Sequence, residues 1–128
     1  LTRTKYWGYS SQENISLENL IKERYDGIRP APGYPACPDH SEKQTLFNIL
    51  DAENKIKMQL TSNFAMDPPA SVCGWYFSHP ESKYFGIGKI SEDQLSDYSK
   101  RKNIDIDKIK KFISPHLQEN YHLETEIG

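Results

Sequence analysis

The sequence has little that would commit it to a metal, a membrane or a nucleic acid. Only two of its 128 residues are cysteines, Cys37 and Cys73. They stand too far apart for a metal-ligand pair or a disulfide framework, so two buried thiols in a reducing cytosol are expected. The four histidines, His40, His79, His116 and His122, are scattered, with no pair at ligand spacing beside a third donor, and no metal site is predicted. No apolar run is long enough to cross a bilayer, which excludes a membrane partner on the helical pattern. Neither sign of charge dominates: 16 basic residues face 18 acidic ones, for a net charge of −2. Without a basic block to neutralise phosphates, no nucleic-acid partner is expected. The start, LTRTKYWGYS, has neither an initiator Met nor the apolar centre of a signal peptide, and reads as part of a longer soluble, cytoplasmic protein. Ser41 and Ser71 lack the GxSxG setting of a hydrolase nucleophile. YFGIGKI lacks the Lys-Ser/Thr ending of a phosphate loop.

The composition that remains suits one modest domain over residues 1–128. Hydrophobic residues make up 36% and charged residues 27%. That is low for a unit standing wholly alone, so one face is expected to have lost its neighbour.

Along the chain, an aromatic opening (Tyr6, Trp7, Tyr9) precedes SLENLIKERY, which predicts a helix capped by Ser16. Leu17, Leu20 and Ile21 share one face of it, and Gly27 lies beyond its end. A second helix is predicted through SEKQTLFNILDAE, with Asp39 as its cap, Glu42 reaching back, and Leu46, Ile49 and Leu50 along one side. KMQLT suggests a strand, and the DPP at 67–69 a loop. ASVCGWYFS and KYFGIGKI read as two strands of a hairpin joined by HPES, with His79 as a turn residue. Gly74, Gly86 and Gly88 would mark bulges or close approaches of backbone. Trp75, Tyr76 and Phe77 alternate between core and interface in this reading. Ser91 opens a third helix and Asp105 a fourth, which Pro115 ends; the tail from about 118 to 128 is expected to fray. The lysines and arginine of KRKN and KIKK read as solvated helix faces, with a docking patch for an acidic electron donor as the second possibility. The sum is an α+β fold, a small antiparallel sheet packed by helices, with an extended proline-rich loop.

That loop, GIRPAPGYPACPDH at residues 27–40, is the unusual stretch. Pro30, Pro32, Pro35 and Pro38 have fixed φ and no N–H, and each pushes the residue before it towards extended geometry. Gly33 is the one free joint, and Pro32-Gly33 suits the centre of a type II turn. Two stiff arms about one bend would leave the backbone groups of Ala31, Gly33 and Tyr34 free of any neighbouring strand, ready to read the edge of a flat heterocycle at little entropic cost. Arg29 offers a planar fork for a carboxylate or phosphate, and Tyr34 a flat face. The same stiffness also serves a loop that only braces the fold, and both readings stand on these residues alone.

GIRPAPGYPACPDHSEK, followed by FAMDPPASVCGWYFSHPESKYF, closely resembles the C-terminal activation domain of cobalamin-dependent methionine synthase. The similarity runs from about YWGY to ISPHL. The resemblance implies a domain that binds S-adenosylmethionine and docks on the cobalamin-binding domain of the same enzyme. There a methyl group is donated during reductive reactivation, with an electron from a flavodoxin-like protein. Carried over by motif, the ligand-binding arginine falls on Arg29 and the backbone contacts on Ala31, Gly33 and Tyr34. The paired tyrosines after HPxSK fall on Tyr84 and Phe85, the second lacking its hydroxyl. Tyr34 and His40 would face the docked cobalamin. The family's upstream part supplies acidic ligand contacts outside this chain, which implies weaker affinity and no carboxylate set against the sulfonium and amino group. No catalytic side chain is implied, since cobalamin itself is the nucleophile; the fragment belongs to a methyltransferase without being catalytic alone. The alternative is a non-catalytic interaction or structural domain with a bracing loop.

Overall fold

In the computed structural model, which describes residues 2–6, 9 and 11–118, the third and fourth predicted helices hold the core. Helix α4, Glu92–Lys102, starts where Ser91 stands extended and the Gln94 side chain reaches back to accept from the Ser91 N–H at 3.1 Å. It ends at Asn103 in the left-handed conformation. Helix α5, Ile106–Ile113, starts at Asp105, whose carboxylate accepts from the Asp107 N–H at 3.0 Å. A 3-10 turn, Ser114–His116, follows and contains Pro115. Leu95, Ile109, Ile113 and Leu117 pack into one buried cluster, with Ile90, Tyr98 and Phe112 around it. Each such side chain contributes roughly 1.5–3 kcal/mol by leaving water, so α4 and α5 anchor this half of the fold.

The first two predicted helices turn out differently, including the second, whose apolar spacing was the clearest in the sequence. Helix α1 covers only Leu17–Ile21; the Ser16 side chain accepts from Asn19 N–H at 3.3 Å, but Leu17 and Ile21 are each 74% exposed. The expected shared face therefore meets no core among the described residues. The second helix is broken in two, α2 over Glu42–Leu50 and α3 over Ala52–Ile56, because Asp51 adopts φ 52° and ψ 45°. Phe47 and Ala52 are buried, whereas Ile49 and Leu50 point outward. Ile56 and Val72 are exposed as well.

The predicted capping box at Asp39 does not form. The Asp39 carboxylate accepts from the Ser41 N–H at 2.7 Å, while Glu42 pairs with Lys102 instead of turning back. Strand β1, Gln59–Leu60, lies in the expected place and pairs antiparallel with β2, Met66–Asp67, in register Gln59 with Asp67. The sheet is thus two short strands, and Asp67 belongs to it rather than to the loop that Pro68 and Pro69 occupy. Its turn is tied inward by Phe64, whose ring meets Phe112 edge-on at 5.1 Å and whose carbonyl accepts from Lys43 Nζ at 2.7 Å.

The hairpin expected from ASVCGWYFS and KYFGIGKI is absent. Phe77 instead exchanges both backbone bonds with Ile28, each at 2.9 Å, and the Trp75 N–H donates to the Pro30 carbonyl at 2.9 Å. Ile90 bridges Leu117 in parallel. The proline arm won the competition for 75–77 because its prolines leave the carbonyls of Ile28 and Pro30 as acceptors, while Gly86 and Gly88 weaken the rival segment. Gly27, at φ 73°, permits the contact: a Cβ there would lie 1.7 Å from the Phe77 carbonyl oxygen. Gly74 is likewise a close approach, 2.8 Å from the Pro30 oxygen for an added Cβ, but Gly86 stands in open space. Trp75 is half-buried while Tyr76 and Phe77 are both exposed, so the expected alternation is not kept. Both thiols are free and half-buried rather than buried, and burial raises the pKa of each. Trp7, His122 and the tail beyond Gln118 lie outside the described residues.

Candidate functional site

The predicted bend is present. Gly33 takes φ 95° and the Tyr34 N–H donates to the Ala31 carbonyl at 3.2 Å, a turn with Pro32-Gly33 at its centre. The backbone is less open than the sequence suggested. A second reversal follows at once, with the Gly33 N–H bonded to the Cys37 carbonyl and the Cys37 N–H to the Tyr34 carbonyl, both at 2.8 Å. No neighbouring strand takes these groups, but the turns themselves do. Of the three residues expected to present free backbone, Ala31 keeps its N–H and Gly33 its C=O without a partner among the described residues.

Beside this turn lies a cleft of about 480 Å³, within the range of small-molecule sites. Arg29, Ala31, Tyr34, Tyr84 and Phe85 all line it, brought together from sequence positions more than fifty residues apart. Pro30, Pro35, Ala36 and Val72 complete an apolar wall. Gly33, at the centre of the turn, does not line it. His40 does not line it either; its ring packs on Gly33, where an added Cβ would lie 2.2 Å from Cε1. Tyr34 is 66% exposed at the lip of the cleft, on the same loop as exposed His40.

Tyr84 has a structural tie to this loop. Its hydroxyl accepts from the Arg29 N–H at 2.8 Å and meets the Tyr25 hydroxyl at 2.5 Å. Burial, helped by the Tyr84 contact, raises the Tyr25 pKa well above the ordinary phenol value. Phe85 makes no hydrogen bond and presents only its ring.

Arg29 is not an unattached fork. Its guanidinium carbon lies 4.1 Å from the centroid of the Tyr25 ring and 5.2 Å from those of Tyr9 and Tyr76. Glu13 Oε1 is 3.4 Å from Nη2. Cation–π attraction of this kind is worth about 0.5–2 kcal/mol per ring, so the side chain is held in one orientation. Its buried Nε has no partner among the described residues. An unpaired buried donor costs about 1–3 kcal/mol. Glu23 also lines the cleft, an acidic residue that the motifs did not single out. It sits at φ 56°, a conformation that L-residues seldom adopt. The fit to an adenosyl amino acid is therefore good: a flat apolar wall, a backbone donor, an unsatisfied guanidinium nitrogen and an acidic residue.

Sequence reasoning missed Glu23, Tyr25 and Glu13, which carry no motif of their own. It also missed Lys102, read as solvated. Lys102 Nζ lies 2.9 Å from Asp39 Oδ2 and 2.8 Å from Ser41 Oγ, and it also pairs with Glu42. Tyr98 donates to the same Asp39 oxygen. Burial works against the Asp39 charge, but hydrogen bonds from Tyr98, Ser41 and Lys102 outweigh it and hold the carboxyl below its usual range. Burial works against the Lys102 charge too, but its bonds to Glu42 and Asp39 outweigh it and raise the pKa. Among the described residues no group of histidines, cysteines and carboxylates could hold a metal ion, and no helix is long and apolar enough to cross a membrane.

Comparison with known proteins agrees with these motifs. A solved structure described as the MetH reactivation domain bound to AdoHcy superposes with a TM-score of 0.82 at 52% sequence identity. The match covers 90% of this chain and 35% of that one, so the chain spans about a third of that relative's length. The family model for the activation domain of vitamin B12 dependent methionine synthase matches residues 1–103. On these grounds, and with the motifs it carries around the cleft, the chain belongs to the vitamin B12 dependent methionine synthase activation domain family.

Proposed function

We propose that this chain is the C-terminal part of an S-adenosylmethionine-binding reactivation module, and that the ligand occupies the cleft beside the proline turn. The observation that carries this reading is the convergence of Arg29, Ala31, Tyr34, Tyr84 and Phe85 on one cleft. It gains support from a relative 52% identical whose structure was solved with AdoHcy.

Each residue has a physical task in this reading. The Ala31 N–H takes the polar edge of the adenine, the Phe85 ring and Val72 cover its face, and Gly33 serves the site through the bend it allows. Arg29 receives the ligand carboxylate, and Glu23 offsets the positive amino and sulfonium groups. S-adenosylmethionine held there would offer an activated methyl group on its sulfonium, and the nucleophile would be a cobalamin carried by a neighbouring domain. The chain then needs no side-chain base. Its work is to hold the donor in place and aligned, which is where most of the advantage of such a transfer lies. Tyr34, exposed at the lip, and His40, exposed beside it, face the cobalamin domain. The electron comes from a flavodoxin-like partner, in the cytoplasm, and the chain alone is not catalytic.

A second reading, a loop that only braces the fold, is favoured by the internal bonds of Gly33, Tyr34 and Cys37. Calorimetry with S-adenosylhomocysteine separates the two. The ligand reading expects saturable binding by the native chain and a loss of about tenfold or more in Phe85→Ala, whose exposed ring can be removed without touching the core. Absence of binding by the native chain, or equal affinity in the variant, would favour the brace.

A further inference from the structure

We propose that Lys102, the last residue of α4, is the positioning residue of the proline turn: it clamps Asp39, Ser41 and Glu42 and thereby holds Gly33 and Cys37 in their paired geometry. The inference deepens the reading of the cleft as an adenosyl-ligand site, since that site is built on this turn.

The clamp is saturated. An ammonium has three protons, and Lys102 has three acceptors: Asp39 Oδ2, Ser41 Oγ and the Glu42 carboxylate. Asp39 is equally engaged, by Lys102, the Tyr98 hydroxyl and the Ser41 N–H. Its residue is 4% exposed, and a carboxylate so buried stays charged only while fully hydrogen-bonded. Tyr98 and Lys102 lie four residues apart and so on one face of α4, whose neighbour Leu95 is completely buried. The donors are therefore fixed to the most rigid part of the fold.

Transmission to the turn is short. Asp39 is two residues from Cys37, whose carbonyl accepts from the Gly33 N–H at 2.8 Å. On its other side Asp39 adjoins His40, whose ring packs on Gly33. Residues 37 and 40 both touch residue 33, and Asp39, one of the two residues between them, is held by α4. Release of Asp39 frees both contacts together. The segment 28–30 has its own tether through Ile28 and Phe77, so it should not respond.

Amide hydrogen exchange on the full chain tests this without any ligand. In Lys102→Met the amides of Gly33 and Cys37 should exchange about tenfold faster or more, while those of Ile28 and Phe77 keep their native rates. Tyr98→Phe removes one donor and no charge; it should move the same two amides in the same direction by a smaller factor, and it decides the matter if Lys102→Met does not fold. Unchanged Gly33 and Cys37 rates, or an acceleration shared equally by Ile28 and Phe77, overturns the proposal. Calorimetry with S-adenosylhomocysteine on the same samples should show about a tenfold loss of affinity in parallel with the freed turn. If the native chain binds none, the ligand reading falls, while the exchange rates still decide the role of Lys102.

Discussion

The hydroxyls of Tyr25 and Tyr84 meet at 2.5 Å, and the Tyr84 oxygen also accepts from the Arg29 N–H. Tyr84, two residues after HPES, is thereby fastened to the first arm of the proline loop. Tyr84→Phe keeps the ring in the cleft wall and removes both bonds. A loss of about 1–2 kcal/mol is expected in urea denaturation, since the Arg29 N–H and the Tyr25 hydroxyl both lose their partner. If Tyr84→Phe is as stable as the native chain, the tie does not hold the loop.

Gly33 and His40 form a second contact that a single methyl would break. At φ 95° an alanine is strained whatever the space, and its Cβ would also fall 2.2 Å from His40 Cε1. Gly33→Ala should cost more than about 1 kcal/mol. Because His40 is exposed, His40→Ala alone should stay within about 0.5 kcal/mol of native. The double variant should recover the steric part of the loss and keep the backbone part. Complete recovery, measured by the same denaturation, would mean that the positive φ carries no cost.

How much of this was legible depended on whether a signal was local. The caps at Ser16 and Asp105, the start at Ser91 and the bend at Pro32-Gly33 each need only neighbouring residues, and each is present. The hairpin was misread because strand propensity says that 75–77 will pair but not with what. Its partner, Ile28, lies nearly fifty residues earlier. Lys102 was misread for a related reason: in KRKN its neighbours are solvated, and only the fold brings it against Asp39 and Glu42. The cleft was legible through motif resemblance for Arg29, Ala31, Tyr34, Tyr84 and Phe85, and illegible for Glu23, whose place in the wall follows from where α1 stops.

The Asp39–Lys102 pair makes stability depend on pH with a defined sign. Asp39 has a lowered pKa, so its contribution is complete above the unfolded value near ~4 and is lost as pH falls through the folded value. Lys102 has a raised pKa, so its contribution is complete below the unfolded value near ~10.4 and is lost as pH rises through the folded one. A plateau between these limits is expected. On it, Lys102→Met should cost about 2 kcal/mol, at the low side for a broken buried pair because the Lys102 side chain retains 16% exposure. The difference between the two proteins should shrink below the acid limit, where Asp39 loses its charge. A difference that is constant from pH 3 to pH 7 would rule out an ionic origin.

His40 titrates in the opposite sense to a salt-bridged histidine. Burial lowers its pKa first and the Lys43 ammonium, 3.2 Å from Nδ1, lowers it further, with Asp39 opposing both. Lys43 is itself held, since Nζ donates to the Phe64 carbonyl at 2.7 Å, so the cation cannot simply swing away. The folded state therefore binds the His40 proton less readily than the unfolded chain does. Between the folded value and the unfolded one near ~6.5, stability rises with pH, and mild acidification weakens the fold at the proline turn. Lys43→Met removes the repulsion and should move the His40 imidazole titration, followed by its ring proton resonances, upward towards the ordinary histidine value. It should also flatten the loss of stability between neutral and mildly acid pH. A titration curve that stays where it was would show that the Lys43 charge is screened at this distance and that burial alone sets the His40 equilibrium.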